Sequence, residues 1–463
     1  MLYRALRRLA HTALSWYYAD VVVEGREQLP RTGPLLLVAN HPNALVDAML
    51  VGVAVPRRVL LTAKATLFEH PLLAGLLRAV GVVPLRRARD EPGATPGASP
   101  SSARNTDAFQ MVTRALAGGG AVLIFPEGIS HDAPTIAPLR TGAARMALMA
   151  HDAGVGALHV VAVGLIYEEK EQPRSRVLVR VGEPLGVERW LAMHGGDVAA
   201  FTAEIDERLR RVTLNFATSD RARRAVGLAR TLDAVASDVP PLHHPRPLGP
   251  EADLARRIEV ATNAMAVAPA PVVERADAFI ARSEAFERRL AARGIALTEL
   301  RVSPRVRHGA WFVLRESALL ALALPVALID RLAHDIPVRL ARAIALRSLA
   351  TDPSRDQPAM RTILLATGLL LLWYAAIGVT IGHWLGAGVA LIVLAVLVLS
   401  ASAELALRDH VNRAWRRARS FLALRADPAF RSAALTEASL LLEEAQVLEQ
   451  VLVATTNGTG SAR

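Results

Sequence analysis

Apolar and polar positions alternate with two different periods along this 463-residue chain, and they divide it. In the first half, short apolar runs are separated by turn residues and by segments of helical period. Val21–Val23, Pro34–Ala39, Val59–Ala63, Val82–Leu85, Ala121–Phe125, Val160–Tyr167 and Arg176–Val181 read as strands. Leu67–Val80, Thr106–Ala117, Ala143–His151 and Asp197–Leu214 read as helices, the last with Asp197 as its N-cap. Strands alternating with helices predict an α/β domain with a mostly parallel sheet over residues 20–215. Met1–Tyr18 places Leu2, Leu6, Leu9, Ala13 and Trp16 at helical spacing, with Arg4, Arg7 and Arg8 elsewhere on the turn. That pattern predicts an amphipathic helix over residues 1–19, lying either in a lipid headgroup layer or on the catalytic core.

Beyond residue 215 the period is helical throughout. Ser219–Val302 is broken by a proline-rich stretch, Pro240–Pro250, and contains a helical hairpin, Leu254–Val267 and Val272–Arg293. His243-His244 lies among those prolines and reads as linker. A helical linker region is therefore expected at 216–310. A membrane region at 311–403 follows, since 42 residues between Arg361 and Glu404 carry no formal charge, His383 apart. At about 1.5 Å per residue they reach about 63 Å, twice a hydrocarbon core of about 30 Å. Two spans, 362–381 and 384–402, with the turn at Gly382-His383, are the natural division. The 13 apolar residues Ser317–Ile329 contain Pro325 and are bracketed by Arg315, Glu316, Asp330 and Arg331. They are too short for a span and are expected to be re-entrant or interfacial. Arginines flank both outer ends of the hairpin, which predicts cytoplasmic ends and a catalytic domain on the cytoplasmic face of an integral membrane protein. Residues 404–463 are expected as helices ending in a disordered tail, Thr455–Arg463.

Composition sharpens this picture in two ways. The chain has no cysteine, which excludes disulfides, thiolate metal sites and cysteine nucleophiles. Its 54 Lys+Arg against 43 Asp+Glu give a net charge of +11. With 52% hydrophobic residues and no nucleic-acid or metal-ligand motif, that excess points to an anionic membrane surface rather than nucleic acid.

The candidate chemistry lies at strand ends. Asn40-His41-Pro42-Asn43-Ala44-Leu45-Val46-Asp47 follows a buried strand. A histidine on a strand-to-helix turn with a nearby carboxylate is a ready general base, the carboxylate orienting the ring and stabilising the imidazolium. Pro42 suits a first helical turn, whose positive end favours the neutral ring. The same residues also suit a histidine that merely caps a helix. Phe125-Pro126-Glu127-Gly128 follows a second strand, and Gly81-Val82-Val83-Pro84-Leu85-Arg86-Arg87 and His159–Gly164 stand between and after.

These four blocks, in this order, resemble the glycerolipid acyltransferase family over roughly residues 20–215. The branch in question starts Asn-His-Pro-Asn. Five residues separate His41 from Asp47 here, where four are usual, so the segment must leave helical geometry for the two to meet. The resemblance implies that His41 and Asp47 are catalytic and that Arg87, with Arg86 in reserve, holds a phosphate. It also implies that Glu127 and Gly128 hold the acceptor and that Lys64 lies near the substrate channel. An arginine fork matches phosphate bidentately. The alternative for Arg86 and Arg87 is a surface basic run through Arg89, and for Lys64 a solvated charge at a strand end. Ser130, His131 and Asp132 read as loop polar groups, and Glu91–Asn105 as a mobile excursion.

The leading expectation is a membrane-bound acyltransferase moving a fatty acyl group from acyl-CoA or acyl carrier protein to a glycerol phosphate or lysophospholipid hydroxyl. No cofactor and no metal are expected. Membrane lipids are its expected partners. A membrane-anchored lipid-binding or scaffold protein with an impaired site is the alternative, resting on the extra residue before Asp47. A thioester or ester hydrolase is a third.

Overall fold

The computed structural model describes residues 1–69, 74–75, 81–85, 106–239, 242, 245–303, 305–350 and 358–460. Arg86, Arg87, the stretch 91–105 and His243-His244 lie outside these residues, as does the side chain of Lys64. The chain forms two compact units, 1–215 with 345–364, and 216–344 with 365–463.

The first unit is built on a mixed, mostly parallel sheet of β1 (Asp20–Glu24), β2 (Leu35–Ala39), β3 (Val59–Lys64), β4 (Val83–Leu85), β5 (Ala121–Ile124), β6 (His159–Tyr167), β7 (Arg176–Val181) and β8 (Leu185–Gly186). Their order is β1-β7-β6-β2-β5-β3-β4, with β8 beside β6. Pairing is antiparallel where β6 meets β7 and β8, and parallel in the other ladders. β2 lies between β6 and β5, fully buried, because both sheet faces are covered. Its alternate side chains feed two cores. Leu36 and Val38 pack with α3 (Thr106–Ala117), α4 (Gly142–Asp152), α5 (Val187–His194) and α6 (Val198–Val212). Leu35, Leu37 and Ala39 pack with α1 (Leu2–Tyr17) and α2 (Ala44–Ala54).

Of the two positions open to α1, the structure seats its C-terminal half on the domain. Leu14 and Tyr17 are buried, and the Arg7 guanidinium donates to the carbonyls of Val53 and Val55 at 3.0 and 2.7 Å. Leu2 and Leu9 stay exposed, so α1 still presents an apolar edge. Asp197 caps α6 through the Ala199 N–H, 2.9 Å.

The second unit is helical: α7 (Ser219–Ala236), α8 (Leu248–Ala264), α9 (Ala270–Ala292), α10 (Val306–Ala350), α11 (Pro358–Leu385), α12 (Ala387–Ala426) and α13 (Pro428–Gly460). α10 and α11 each extend into the first unit at one end. Helices α11 and α12 are long and apolar enough to cross a membrane. They run antiparallel: a Cβ on Gly378 would meet Leu394 at 3.1 Å, and one on Gly382 would meet Ala390.

Three expectations change here. The hairpin turns at Gly386, not at Gly382-His383. Gly386 takes φ +89°, a left-handed conformation that glycine adopts at least cost, while Gly382 and His383 stay helical. Ser317–Ile329 is no separate re-entrant piece, because one helix runs from Val306 to Ala350 through Pro325 and Pro337. The bracketing Asp330 is buried and paired instead of ending the helix. It accepts from Ser400 Oγ at 2.9 Å and meets His334 Nδ1 at 2.7 Å, and His334 Nε2 reaches the Tyr374 hydroxyl at 2.6 Å. The expected tail from Thr455 is helical to Gly460.

Candidate active site

Strand order assembles the site. β2 and β5 are parallel neighbours with Val38 opposite Ile124, so the segments that follow them leave the same sheet edge although about 85 residues separate them. Crevices outside the carboxyl ends of such strands are where α/β sheets bind ligands. Asn40 anchors the first turn to β6. Its side-chain amide donates to the Leu165 carbonyl (3.0 Å) and accepts the Leu165 N–H (2.7 Å).

His41 Nδ1 lies 2.9 Å from Asp47 Oδ2. The extra residue is absorbed before the helix begins. α2 starts at Ala44, whose φ of +48° is unusual for a residue with a side chain, and Pro42 stands outside the helix, not in its first turn. This backbone turns the Asn43 N–H onto the same Asp47 Oδ2, at 2.7 Å. The other oxygen, Oδ1, accepts from the Tyr167 hydroxyl at 2.5 Å. Asp47 is fully buried, so its charge is matched by three donors instead of water. Burial, and next the Asp47 charge, push the Tyr167 hydroxyl well above the ordinary tyrosine range. Tyr18 is raised too, by burial first and then by Tyr17 and Asp47, and its hydroxyl accepts from Asn43 Nδ2 at 3.1 Å. Both phenols stay protonated beside the carboxylate. With Nδ1–H committed to Asp47, Nε2 of His41 is the nitrogen left to accept a proton. Phe125 stacks on the ring, 3.9 Å between centroids and 14° between planes, which holds its orientation.

Glu127 ties the two turns together. Its Oε1 accepts the His41 N–H at 2.8 Å; its Oε2 accepts the Ala137 N–H at 2.7 Å and bonds His131 Nε2. His131 Nδ1 accepts the Ala133 N–H at 3.1 Å, which leaves the ring proton on Nε2, facing the carboxylate. Glu127 is 3% exposed. The resemblance assigned its carboxylate to the acceptor; in the structure its bonds go to the protein, because three donors close around a buried charge. Gly128 has φ +72°, and a Cβ there would lie 2.7 Å from Arg140 Nε. The close approach that glycine permits here is by Arg140. Its backbone N–H bonds the Pro126 carbonyl at 2.8 Å.

The three loop groups all brace the first turn. Ser130 Oγ accepts the Ala44 N–H (3.1 Å), His131 holds Glu127, and Asp132 pairs with Lys170, whose Nζ donates to the Pro42 carbonyl at 2.8 Å. His41, Asp47, Glu127 and Gly128 are thus brought together. Lys64 ends β3, which pairs with β5 on its far side from β2, and β4 ends at Leu85, just before Arg86 and Arg87. Tyr167, Tyr18, Asn40, Phe125, Arg140 and Lys170 escaped the sequence analysis as site residues. Only a knowledge that β6 lies beside β2 would have singled out Tyr167 or Asn40. Among the described residues, no group of three or more His, Asp or Glu side chains could hold a metal ion.

Residues 20–166 match the acyltransferase family model. Glycerol-3-phosphate O-acyltransferase 2 of Saccharomyces cerevisiae is 44% identical over 85 residues, 18% of this chain and 11% of the yeast protein. An uncharacterised acyltransferase of Schizosaccharomyces pombe is 24% identical over an alignment 253 long, covering 38% of this chain and 37% of that protein. The chain therefore spans about a tenth and somewhat over a third of these two curated relatives. Among solved structures, the 1-acyl-sn-glycerophosphate acyltransferase of Thermotoga maritima aligns with a TM-score of 0.35 and 20% identity, over 45% of this chain and 78% of that one. The similarity to glycerolipid acyltransferases holds for residues 20–166, the stretch that bears His41 and Glu127.

Proposed function

We propose that this protein transfers a fatty acyl group from a thioester donor, acyl-CoA or acyl carrier protein, to a hydroxyl of a glycerol phosphate or lysophospholipid. The observation that carries the proposal is the 2.9 Å His41–Asp47 contact, held on the Glu127 bridge between two strand ends. His41 Nε2 removes the acceptor hydroxyl proton, and the oxygen attacks the thioester carbonyl carbon. The C–S bond breaks as the tetrahedral carbon collapses, and the imidazolium returns its proton to the leaving thiolate. Asp47, fixed by Asn43 and Tyr167, holds the ring and balances its transient charge. No nucleophile beside a second base is needed, so the transfer is direct. Glu127 acts as a positioning residue. Arg87 is proposed to take the phosphate from its place after β4, with Arg86 in reserve, Lys64 to line the channel and Gly128 the acceptor side. The scaffold reading rested on the extra residue before Asp47; the 2.9 Å His41–Asp47 contact, made with Ala44 in the left-handed region, supports the enzyme reading.

The helices α11 and α12 are read as a membrane hairpin with both ends on the cytoplasmic face, where the thioester donors are made. Reporter fusions after residues 310, 345 and 410 should all give cytoplasmic signals. The functional test is a panel of acceptors, with glycerol phosphate, its mono-acyl form and a neutral monoacylglycerol, run on wild type and Arg87→Ala. The expected result is transfer to a phosphorylated acceptor and a raised KM for it in the variant, with the donor KM little changed. Equal damage to both substrates would remove Arg87 from the phosphate site. Indifference to the acceptor's phosphate would remove the glycerolipid assignment.

A further inference from the structure

The helical unit holds a cavity unrelated to the His41 site. It lies among α7, α8, α9 and α13, has a volume of about 280 Å³ and is almost wholly apolar. Leu232, Ile258, Phe279 and Leu448 line it, all but Ile258 fully buried members of that unit's hydrophobic core. The small residues Ala261 on α8 and Ala445 on α13 are among its lining. Its polar lining residues are Arg257, Thr262, Gln446 and Glu449. Arg257 and Glu449 pair, Nε to Oε1 at 2.6 Å, on side chains 56% and 31% exposed, which marks the mouth.

A cavity of about 150 Å³ lined by Leu, Ile and Phe stays dry and takes up a hydrocarbon guest. This one is larger and opens to solvent beside a cation. Bundle cores of this kind are where helical proteins seat ligands. We propose that the cavity binds the hydrocarbon chain of a single-chain anionic amphiphile, its tail among Leu232, Ile258, Phe279 and Leu448 and its carboxylate or phosphate at Arg257. Such an anion displaces Glu449 from the guanidinium. The choice of an acyl amphiphile rests on the family assignment; the site is separate from the one that family uses.

The test uses the full-length protein in phosphatidylcholine nanodiscs and a palmitate analogue bearing a diazirine, photolysed and mapped by peptide mass spectrometry. Label is expected on α8 and α13 around Ala261 and Ala445, competed by unlabelled palmitate or by lysophosphatidate. Ala261→Phe and Ala445→Phe, made separately, should each cut labelling at least about tenfold by occupying the space. Either variant that unfolds shows it by losing its thermal transition, and the other then decides. Arg257→Gln should weaken competition by palmitate and lysophosphatidate but not by palmityl alcohol. Whichever acid competes better identifies the source of the anion. Label confined to other helices, or unchanged by a folded cavity-filling variant, overturns the site. Equal competition by the alcohol and both acids overturns the anionic part. Acyl transfer measured on the same samples keeps the two proposals apart, since a transferase-inactive protein that still labels leaves this site standing, and an active one that does not label removes it.

Discussion

The two units of this chain meet their charges with different partners. In the α/β unit two carboxylates, Asp47 and Glu127, are buried almost completely, and each is surrounded by donors from the backbone and from Tyr167 or His131. In the four-helix part of the other unit ion pairs such as Arg288–Glu284 on α9 and Arg289–Glu437 between α9 and α13 lie on the surface, around an apolar interior with an opening. Glu251 and Glu259, buried on α8, are met there by the arginines Arg230 and Arg221. A buried carboxylate with both oxygens engaged by fixed donors is held to one geometry. An exposed ion pair contributes about 0–1 kcal/mol and fixes little. Rigid positioning, which acyl transfer requires, therefore resides in the first unit, and adaptable apolar space in the second.

That contrast breaks most visibly at the base. Replacing His41 with alanine should lower kcat about 10²–10⁴-fold while leaving the fold intact, measured by steady-state acyl transfer beside circular dichroism. Near-normal turnover would take catalysis away from the dyad.

A core truncation in the helical unit should do the reverse. Phe286 is 1% exposed, and Phe286→Ala should cost about 3–5 kcal/mol of stability by chemical denaturation, with kcat per folded molecule unchanged within about twofold. A large loss of kcat in folded protein would show that the helical unit takes part in the chemistry.

Glu127→Gln sharpens the comparison inside the first unit. Weakening its bonds to His41, Ala137 and His131 should lower kcat about tenfold to a hundredfold, as expected for bonds to a charged group, with little change in acceptor KM. A rise in acceptor KM at constant kcat would return Glu127 to the acceptor-binding role.

The smallest effect is expected at Tyr167. Tyr167→Phe removes one of three donors to Asp47 and should lower kcat about tenfold or less. It should also change the alkaline limb of stability. Burial and Asp47 raise the folded-state pKa of Tyr167, so its contribution is complete below the unfolded value near 10 and is lost as pH climbs above it. Wild type should lose stability above about pH 10, and the variant should lose it less steeply, with Tyr18 accounting for the remainder.

The same contrast explains what the sequence made legible. Period-two and continuous apolar runs located the strands of the first unit, and α3 begins and ends at Thr106 and Ala117 as the pattern predicts. His41 and Asp47 stood out because residue type and spacing suit a base and its carboxylate, whereas Glu127 was singled out through the family resemblance. Tyr167, Asn40 and Lys170 were not, because their roles depend on β6 lying against β2, and strand order leaves no mark in local pattern. The hairpin was legible from the missing charges, but its turn was placed four residues early. A glycine beside a histidine looks like a break, and only the backbone shows Gly386 in the left-handed region. The helix running through Ser317–Ile329 was missed because Asp330 signals an end to an apolar segment unless its partners, His334 and Ser400, are known.

Acceptor dependence tests the central claim most directly. Release of free thiol from palmitoyl-CoA and from palmitoyl acyl carrier protein would be followed with and without glycerol phosphate or lysophosphatidate, with the lipid product identified by mass spectrometry. The account predicts thiol release that rises with acceptor and is matched mole for mole by a new ester, and that His41→Ala abolishes both together. Thiol release at the same rate without acceptor, or no release under any condition from folded protein, would contradict it.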